Sequence, residues 1–462
     1  MDNSHLTKRE MCLLLYYACV LPPGRDKLFS PDNIPGLVEN FEVKVDIADT
    51  SPWQARLIPC SPGDKDAIDT IITSNLKLDL VEDCSGPYAC AAILVRKKNG
   101  RHKLACCLNE LNRRCRKNSY PVPLIRDNLD CLANRPFQTT IDVCGGYNSM
   151  VIKESDRDYF AFITHRGLFR WKRVPYGWRN AGAHFCYLMD KVLAGLKYQI
   201  LILYVDDTNV YHGVNIYEHM VALRVVFNRF QTSGLTLSIA KCFFCVKKFD
   251  YLGFQVTRSG ISPATHNIDK IMNCKCTSIA DIKHFVGLAQ YYRRWVQNFT
   301  QIVAPCYEAM KHTWLTVDHI ALTDAIEVIK NILVTYPVLR HPDFDKPFFL
   351  ATDGGPTGFG AVLKQKDDVV GLYSISYASS GVPASMKHLC GPQLEAAAAA
   401  WGMTNYRQYL IGRQFTLLTD QVVLKYLKYK TEPLRALAAP IIECQEVDYV
   451  FSTCSWDCAS SA

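Results

Sequence analysis

Two adjacent aspartates, Asp206 and Asp207, lie between two apolar segments that have the composition of β-strands. The segments cover residues 200–205 and 208–211 and predict the two arms of a hairpin. Adjacent carboxylates at the tip of a hairpin repel each other unless a cation neutralises them. Aspartate is also common in solvated turns, so the pair alone fits a metal site and an ordinary turn equally well.

A third acid favours the metal site. Asp142 ends a predicted strand over residues 138–143, and a tight turn at Gly145 and Gly146 follows it. If this strand lies next to the hairpin, Asp142 comes beside Asp206, and the three carboxylates can bind two Mg²⁺ ions. Two such ions would activate a primer 3′-hydroxyl and stabilise the pyrophosphate that leaves in an in-line displacement.

A second group of acids occurs later in the chain. Asp353 falls in a predicted strand, Glu395 opens an alanine-rich helix, and Asp420 ends another strand. If these three converge, they would suit two-metal hydrolysis of a phosphodiester. The structural alternatives are a favourable first-turn charge for Glu395 and a turn cap for Asp420.

Helices that would position the first group follow from hydrophobic periodicity and capping signals. One is predicted to begin at Asn180 and to bury a face that runs to Leu196. A second is predicted to end at Gly234. Apolar residues over 282–303 predict one long amphipathic helix.

A strand is predicted over 91–95, and a basic hairpin turn at Asn99 and Gly100 follows it. Another strand is predicted over 235–239. The pattern changes near residue 336. Beyond it, strands alternate with one helix over 395–410, which indicates a separate mixed α/β domain. Its predicted strands cover 348–351, 360–363, 373–377 and 415–419.

The composition is that of a globular protein with more than one domain. Of the 462 residues, 49% are hydrophobic and 21% are charged, and the formal net charge is +8. A basic chain suits a partner rich in phosphates, but many proteins with no nucleic-acid role are as basic. The 20 cysteines lack the spacing of a disulfide framework, which indicates reduced thiols.

Five motifs, in this order and spacing, resemble the reverse transcriptase of gypsy-like long-terminal-repeat retrotransposons. They are TIDVCGGY at 140–147, VPYGWRNA at 174–181, YVDD at 204–207, GLTLSIAKCF at 234–243 and YLG at 251–253. Two segments depart from the family pattern: CLN at 107–109 replaces Asp-Tyr-Arg, and YF at 159–160 replaces Lys-Thr. Neither departure touches a predicted metal ligand.

The resemblance implies a multidomain α+β fold. A right-hand polymerase with fingers, palm and thumb would be followed by an α/β ribonuclease H-like domain. The implied bounds are a leader or linker over 1–50, fingers and palm over 51–260, thumb and connecting helices over 261–336, and a C-terminally shortened nuclease-like domain over 337–462.

The family implies a role for each matching position. Asp142, Asp206 and Asp207 would bind the metal ions, and Tyr147 would lie under the incoming sugar and exclude a 2′-hydroxyl. Lys97 and Lys103 would contact the nucleotide triphosphate, and Tyr176 would line the nucleotide pocket. Tyr251 and Gly253 would hold the primer end, and Arg293 and Arg294 would contact phosphates. Without the resemblance, Tyr147 fits an ordinary core aromatic residue, and Lys97 and Lys103 fit a basic hairpin. Arg293 and Arg294 fit a solvated helix face.

Residues 337–462 resemble the ribonuclease H-like domain of the same elements. The matches include PVL at 337–339, SYAS at 376–379 and YLIG at 409–412. The resemblance implies that Asp353, Glu395 and Asp420 bind metal, and that Asp457 is a fourth catalytic acid. The Gly-Lys loop expected before Asp457 is missing, so the fold of this domain is better supported than its activity.

The implied function is that of a retroelement DNA polymerase that uses Mg²⁺, or Mn²⁺ in its place. It would extend a DNA primer with dNTPs on an RNA or DNA template, and the attached domain would cut RNA in RNA–DNA hybrids. One alternative is a catalytically decayed or domesticated copy that only binds nucleic acid. Another is an RNA-templated RNA polymerase, which Tyr147 and the nuclease-like domain disfavour.

The expected location is the cytoplasm, within particles of the element, or the nucleus. The apolar run over 11–21 is too short to span a bilayer, and Pro22 and Pro23 stop it. We therefore predict no membrane partner. The sequence leaves the oligomeric state open.

Overall fold

The computed structural model describes residues 28–30, 32–96, 100, 102–132, 135–312, 314–335, 338–368, 371–419 and 449–453. The chain divides into two compact units, over residues 1–247 and 248–462. Three predicted site residues, Lys97, Asp420 and Asp457, lie outside the described residues. None of the helices in the described ranges is both long enough and apolar enough to cross a membrane.

The first unit is built on two main β-sheets. Its strands are β1 (Val38–Val43), β2 (Trp53–Gln54), β3 (Val81–Asp83), β4 (Tyr88–Arg96), β5 (His102–Cys106), β6 (Gln138–Asp142), β7 (Met150–Ile152), β8 (Ala161–Thr164), β9 (Gly167–Trp171), β10 (Leu201–Tyr204), β11 (Asp207–Val210) and β12 (Phe243–Val246). One sheet has the order β10-β11-β6-β12, the other has the order β2-β4-β8-β9-β3 with β5 paired to β4, and β1 pairs with β7. The antiparallel pairing of β4 with β5 confirms the predicted hairpin around Gly100.

Helices cover the sheets of the first unit. They are α1 (Pro62–Lys77), α2 (Asn109–Arg114), α3 (Ile125–Cys131), α4 (Ala181–Val192) and α5 (Ile216–Ser233), with 3₁₀ helices at Gly146–Ser149, Glu154–Phe160 and Ile239–Lys241. α4 begins after Asn180 as predicted but ends at Val192, before Leu196. α5 begins after Asn215, whose side chain caps it, and ends at Gly234, which has a left-handed φ of +81°.

One predicted strand does not form. Residues 235–239 run as an extended segment in which Leu237 makes isolated bridges to Phe29 and Val143, and the apolar alternation does not match burial throughout, because Ser238 is buried and Ile239 is exposed. The 3₁₀ helix Ile239–Lys241 then turns the chain. Leu235 and Leu237 are both buried in the core, so the alternation reflects packing of the segment and not a ladder of strand pairs.

The second unit begins with a three-stranded sheet, continues through helices and ends in a five-stranded sheet. Its strands are β13 (Lys248–Tyr251), β14 (Phe254–Thr257), β15 (Gly260–Pro263), β16 (Phe348–Gly355), β17 (Gly358–Asp367), β18 (Gly371–Ser380), β19 (Phe415–Thr419) and β20 (Tyr449–Thr453). Its helices are α6 (Thr265–Met272), α7 (Ile279–Tyr291), α8 (Phe299–Ile302), α9 (Ala304–Ala309), α10 (His319–Thr335), α11 (Gly391–Asn405) and α12 (Arg407–Leu410), with 3₁₀ helices at Arg293–Trp295, Trp314–Thr316 and Ala384–Met386.

The five-stranded sheet has the order β18-β17-β16-β19-β20, with β16 antiparallel to β17 and parallel to β19. This mixed sheet confirms the α/β pattern predicted beyond residue 336. Two glycines let α11 lie directly on it: a Cβ on Gly354 would be 2.4 Å from the Leu394 carbonyl oxygen, and one on Gly402 would be 2.9 Å from Thr352. α11 begins at Gly391 and not at Glu395, because Pro392 suits the first turn of a helix.

The long helix predicted over 282–303 is interrupted. α7 ends at Tyr291, and Asn298 adopts a left-handed φ of +55° before the short helix α8. Between them, the 3₁₀ helix buries Trp295, whose indole N–H donates to the Ile261 carbonyl oxygen at 3.3 Å. The seven residues whose spacing predicted the helix are buried on both sides of the break, so the spacing did not reveal it; they are Ile282, Phe285, Val286, Ala289, Val296, Phe299 and Val303.

Candidate active site

Strand register places two of the three predicted polymerase acids opposite each other. β6 and β11 are antiparallel, and Asp142 pairs with Asp207. The prediction from the sequence was that Asp206 would be the neighbour of Asp142. Asp206 lies instead in the two-residue turn of the β10–β11 hairpin, because Tyr204 and Asp207 form its last pair.

The turn that carries Asp206 is conformationally strained. Val205, the other turn residue, has a φ of +57°, which a β-branched side chain rarely adopts. Such conformations persist only where the surrounding structure determines them, and they occur often at functional sites. The strain therefore supports a functional role for the hairpin tip.

The three acids repel one another. Burial of the Asp207 carboxyl, followed by the negative charges of Asp206 and Asp142, raises the pKa of Asp207 to about 6. Asp207 remains exposed on one side, so solvent screens part of this repulsion. The raised pKa means that the ionised carboxylate is disfavoured here, and a bound cation would stabilise it.

Lys241, which was not among the predicted site residues, supplies one cation. Its Nζ lies 3.2 Å from both carboxylate oxygens of Asp142. The signal was present in the sequence, because Lys241 lies within the motif at 234–243. The lysine side chain is 66% exposed, so the ion pair affects local charge more than global stability.

The donor set fits a hard divalent ion. Carboxylate oxygens are the ligands that Mg²⁺ and Mn²⁺ prefer, and the raised pKa of Asp207 marks negative charge that such an ion would neutralise. As arranged here, however, no three His, Cys, Asp or Glu side chains in the described ranges converge closely enough to bind one ion.

Aromatic rings form one wall of the same site. The Tyr147 ring packs against those of Tyr176 and Phe185, at centroid distances of 5.3 Å and 5.7 Å. Burial raises the pKa of both tyrosines, and for each the charge of Asp206 is the next cause. Lys103 Nζ lies 3.4 Å from the centroid of the Tyr176 ring. Three predicted nucleotide-binding residues are therefore assembled beside the acids.

The Gly-Gly turn after Asp142 makes room for this wall. Gly145 has a left-handed φ of +51°, and a Cβ on Gly146 would lie only 2.7 Å from the Phe185 ring. A larger residue at either position would displace the backbone or the ring. The turn thereby brings Tyr147 close to the strand end that carries Asp142.

The predicted primer-binding residues lie in a hairpin of the second unit. Tyr251 ends β13 with its ring buried, and Gly253 turns the chain with a φ of +80°. The Tyr292 hydroxyl donates to the Gly253 carbonyl oxygen at 2.9 Å, and the Tyr291 hydroxyl donates to that of Leu252 at 2.6 Å. The turn is thus held rigidly, and its contact with a primer stays a prediction.

Arg293 and Arg294 differ in their surroundings. Arg293 is exposed, whereas Arg294 is partly buried with its guanidinium carbon 5.2 Å from the centroid of the Trp295 ring. Both lie in the 3₁₀ helix and not on the face of a long helix. Their predicted contact with phosphates stays a prediction.

The second unit brings together the segments that carry Asp353 and Glu395. Asp353 lies in β16 opposite Gly360, and Glu395 is buried in α11. The neighbours of these two acids, Gly354 and Leu394, approach closely, because a Cβ on Gly354 would lie 2.4 Å from the Leu394 carbonyl oxygen. This approach brings the segments that carry the two acids together, and their role in metal binding stays a prediction.

Comparison with protein families identifies both regions. Residues 95–256 match the family described as reverse transcriptase (RNA-dependent DNA polymerase), and residues 321–417 match the RNase H-like domain found in reverse transcriptase. The chain is 28% identical over 397 residues to the transposon Tf2-3 and Tf2-7 polyproteins of Schizosaccharomyces pombe. These matches cover 84% of this chain but 29% of each polyprotein, so the chain spans less than a third of their length.

Solved structures of foamy viral protease-reverse transcriptase are similar in fold. The complex with dsDNA gives a TM-score of 0.84 at 18% identity and covers 98% of this chain and 94% of that chain. The complex with RNA/DNA hybrid gives a TM-score of 0.77 at 18% identity and covers 99% of this chain and 61% of that chain. At this identity the likeness establishes the fold alone. It confirms the predicted fold class, a right-hand polymerase followed by a ribonuclease H-like domain.

The predicted resemblance is also confirmed. The Tf2 polyproteins belong to gypsy-like long-terminal-repeat elements, the class that the five motifs indicate. The two family matches follow each other in the predicted order. The chain therefore carries a reverse transcriptase region followed by an RNase H-like domain of the kind found in reverse transcriptase, and it is similar to the polyproteins of gypsy-like retrotransposons.

Proposed function

We propose that this chain is a DNA polymerase that extends a DNA primer with dNTPs on an RNA or DNA template. The observation that carries the proposal is the register of β6 and β11, which sets Asp142 opposite Asp207 and beside the hairpin tip that bears Asp206. The structurally similar foamy viral enzymes form complexes with dsDNA and with RNA/DNA hybrid. These complexes support both classes of nucleic acid as partners.

Asp142, Asp206 and Asp207 would hold Mg²⁺, or Mn²⁺ in its place. When bound, the ions would supply Lewis-acid activation of the primer 3′-hydroxyl and neutralise charge on the leaving pyrophosphate. β6 and β11 hold the backbones of Asp142 and Asp207 at a fixed spacing, and the hairpin turn carries Asp206 next to them. Lys103 and Lys97 would bind the triphosphate, with Tyr176 shaping the nucleotide pocket.

Tyr147 would select deoxyribonucleotides. Its ring is held between Tyr176 and Phe185, so it could not move aside for a 2′-hydroxyl. A fixed ring under the sugar favours a DNA polymerase over an RNA-templated RNA polymerase. Tyr251 and Gly253 would support the primer end, and Arg293 and Arg294 would contact phosphates.

For the second unit we propose cleavage of RNA in RNA–DNA hybrids, recognised through shape and 2′-hydroxyls. Asp353 and Glu395 would bind metal together with Asp420, and Asp457 would be the fourth catalytic acid. The close contact of β16 with α11 supports this assignment. The predicted cytoplasmic, particle or nuclear location stays a prediction of the sequence.

The decisive test is Mg²⁺-dependent extension of a DNA primer on an RNA template. Asp206→Asn should lower the extension rate by about 1,000-fold, because a metal ligand is worth several kcal/mol in the transition state. Asp66→Asn is the matched control, because it makes the same charge change at an exposed position of α1. The control should extend primers at the wild-type rate.

The same assay separates the alternatives. If folded wild-type protein binds the hybrid but extends no primer, the chain is a relic that binds nucleic acid without catalysis. If it incorporates rNTPs as readily as dNTPs, Tyr147 does not act as a sugar gate. Preference for dNTPs together with loss of extension in Asp206→Asn supports the DNA polymerase.

A further inference from the structure

A buried hydrogen-bond relay lies behind the acids in the first unit. His219 in α5 is fully buried, and its Nδ1 lies 2.8 Å from the His212 carbonyl oxygen. Its Nε2 lies 2.9 Å from Thr139 Oγ1, in the strand that carries Asp142. The backbone N–H of Cys245, in β12, donates to the same Thr139 oxygen at 3.1 Å.

The direction of every bond in this relay is determined. The His212 carbonyl can only accept, so His219 Nδ1 carries the hydrogen. Burial lowers the pKa of His219 to about 4, which keeps the ring neutral and leaves Nε2 as an acceptor. The Thr139 hydroxyl must therefore donate to His219 and accept from Cys245.

The relay ends at an irregularity in the sheet. Phe243 pairs with Thr140 and Val246 with Gln138, so β12 carries one more residue than β6 over this stretch. Cys245 lies inside this bulge with a left-handed φ of +51°, which is unusual for a residue other than glycine. The bond from its N–H to Thr139 fixes this conformation.

The residues that precede the bulge in the chain contact Asp142. The Ser238 N–H donates to the Asp142 carbonyl at 2.9 Å, the Asp142 N–H donates to Cys242 Sγ at 3.5 Å, and Lys241 Nζ contacts the Asp142 carboxylate. A slip of β12 by one residue would move these groups by about 3.3 Å. That distance is as long as the Lys241–Asp142 contact itself.

We infer that Thr139 and His219 are positioning residues for the acid centre: by holding the bulge at Cys245, they set the register that places Lys241 against Asp142. Neither residue touches a reacting group. The effect passes through the backbone of β12 to one lysine. This inference rests on the proposed polymerase function.

The first test is a double-mutant cycle between Thr139→Val and Lys241→Met, read as kcat and the KM for dNTP in primer extension. Thr139→Val keeps the shape but removes the hydroxyl, and it should lower kcat by about tenfold with the KM for dNTP nearly unchanged. In the Lys241→Met background the same change should cost less than about twofold, because the group being positioned is absent. Additive losses would overturn the inference.

Two further variants separate positioning from general damage to the sheet. Thr139→Ser retains the hydroxyl and should restore turnover to within about threefold of wild type. Thr208→Val makes the same substitution at a buried threonine of β11 whose hydroxyl has no hydrogen-bond partner among the described residues. If Thr208→Val lowers kcat as much as Thr139→Val, the loss comes from the sheet in general and the relay is not its cause.

Hydrogen exchange at the Cys245 amide tests the relay without turnover. Thr139→Val should raise the exchange rate of this amide by about tenfold or more, whereas Thr139→Ser should leave it protected. If wild-type protein extends no primer, the polymerase proposal fails and this measurement alone decides the relay. Unchanged protection in Thr139→Val would then overturn it.

Discussion

Asp142 and Asp207 are paired on two adjacent strands, but the charges around the two carboxylates differ. Lys241 contacts Asp142, whereas Asp207 has a pKa raised to about 6 by burial and by the neighbouring acids. One member of this cross-strand pair therefore contacts a cation, whereas burial and neighbouring charge favour protonation of the other. Metal binding would displace a proton from Asp207 below about pH 6.

A buried neutral histidine makes stability depend on pH. The pKa of His219 is lowered from an ordinary value of 6.5 to about 4, chiefly by burial. Between these two pH values, His219 is protonated in the unfolded chain but stays neutral in the folded chain. Stability from this residue is present above pH 6.5 and is lost as the pH falls towards 4, by about 3 kcal/mol in total.

The quantity to measure is the free energy of unfolding between pH 7 and about pH 4. Urea unfolding gives it for the protein, and hydrogen exchange of the β6 amides gives it for the strand next to His219. His219→Gln should flatten the pH dependence of the free energy of unfolding relative to wild type over this window. His102→Gln is the control, because it removes an exposed imidazole from the same unit. Equal pH dependence in wild type and His219→Gln would contradict the buried neutral ring.

Among the elements, α5 is tied to the start of the described chain through its C-terminal glycine. Gly234 ends the helix with a φ of +81°, and its carbonyl accepts a hydrogen bond from the Leu37 N–H at 3.0 Å. A Cβ at this position would lie 2.0 Å from the Leu37 carbonyl oxygen. Both the conformation and the close approach therefore require glycine.

Gly234→Ala should lower the free energy of unfolding by about 3 kcal/mol, because left-handed strain adds to a backbone overlap. Gly195→Ala is a control with nearly the same φ, +79°, but nothing within 4 Å of the added Cβ. It should cost only about 1 kcal/mol. Chemical denaturation of the two variants gives the comparison, and equal losses would show that the close approach to Leu37 has no energetic weight.

On the scale of the whole molecule, the two groups of acids belong to different compact units. The polymerase acids lie within residues 1–247, and Asp353 and Glu395 lie within 248–462. Each proposed group of ligands lies within one unit. The two proposed activities should therefore be separable by single substitutions.

Asp353→Asn should lower cleavage of RNA in an RNA–DNA hybrid by about 1,000-fold through loss of a metal ligand. Primer extension by the same variant should stay within about twofold of wild type. Asp345→Asn, at an exposed acid of the same unit, controls for the change in charge. Parallel loss of both activities in Asp353→Asn would contradict independent sites.

Much of the site follows from local rules that act along the sequence. Apolar arms on either side of Asp206 and Asp207 predict a hairpin, the Asn180 and Gly234 signals predict helix ends, and the structure confirms these elements. The order of the motifs indicated the family. These features are readable because strand alternation and helix capping depend on residues close together in the chain.

The tertiary structure decided which residues meet. Strand register, and not sequence spacing, made Asp207 the partner of Asp142, and it brought Lys241 from about 100 residues away to the same carboxylate. Leu235 and Leu237 are buried without forming a strand ladder, and apolar residues are buried on both sides of the break after Tyr291, so packing and not local pattern decided both segments. The relay from His219 through Thr139 to Cys245 joins three segments whose contacts depend on how the sheet and helix pack. Such long-range pairing leaves no local pattern in the sequence, because its energy arises only when the segments are packed together.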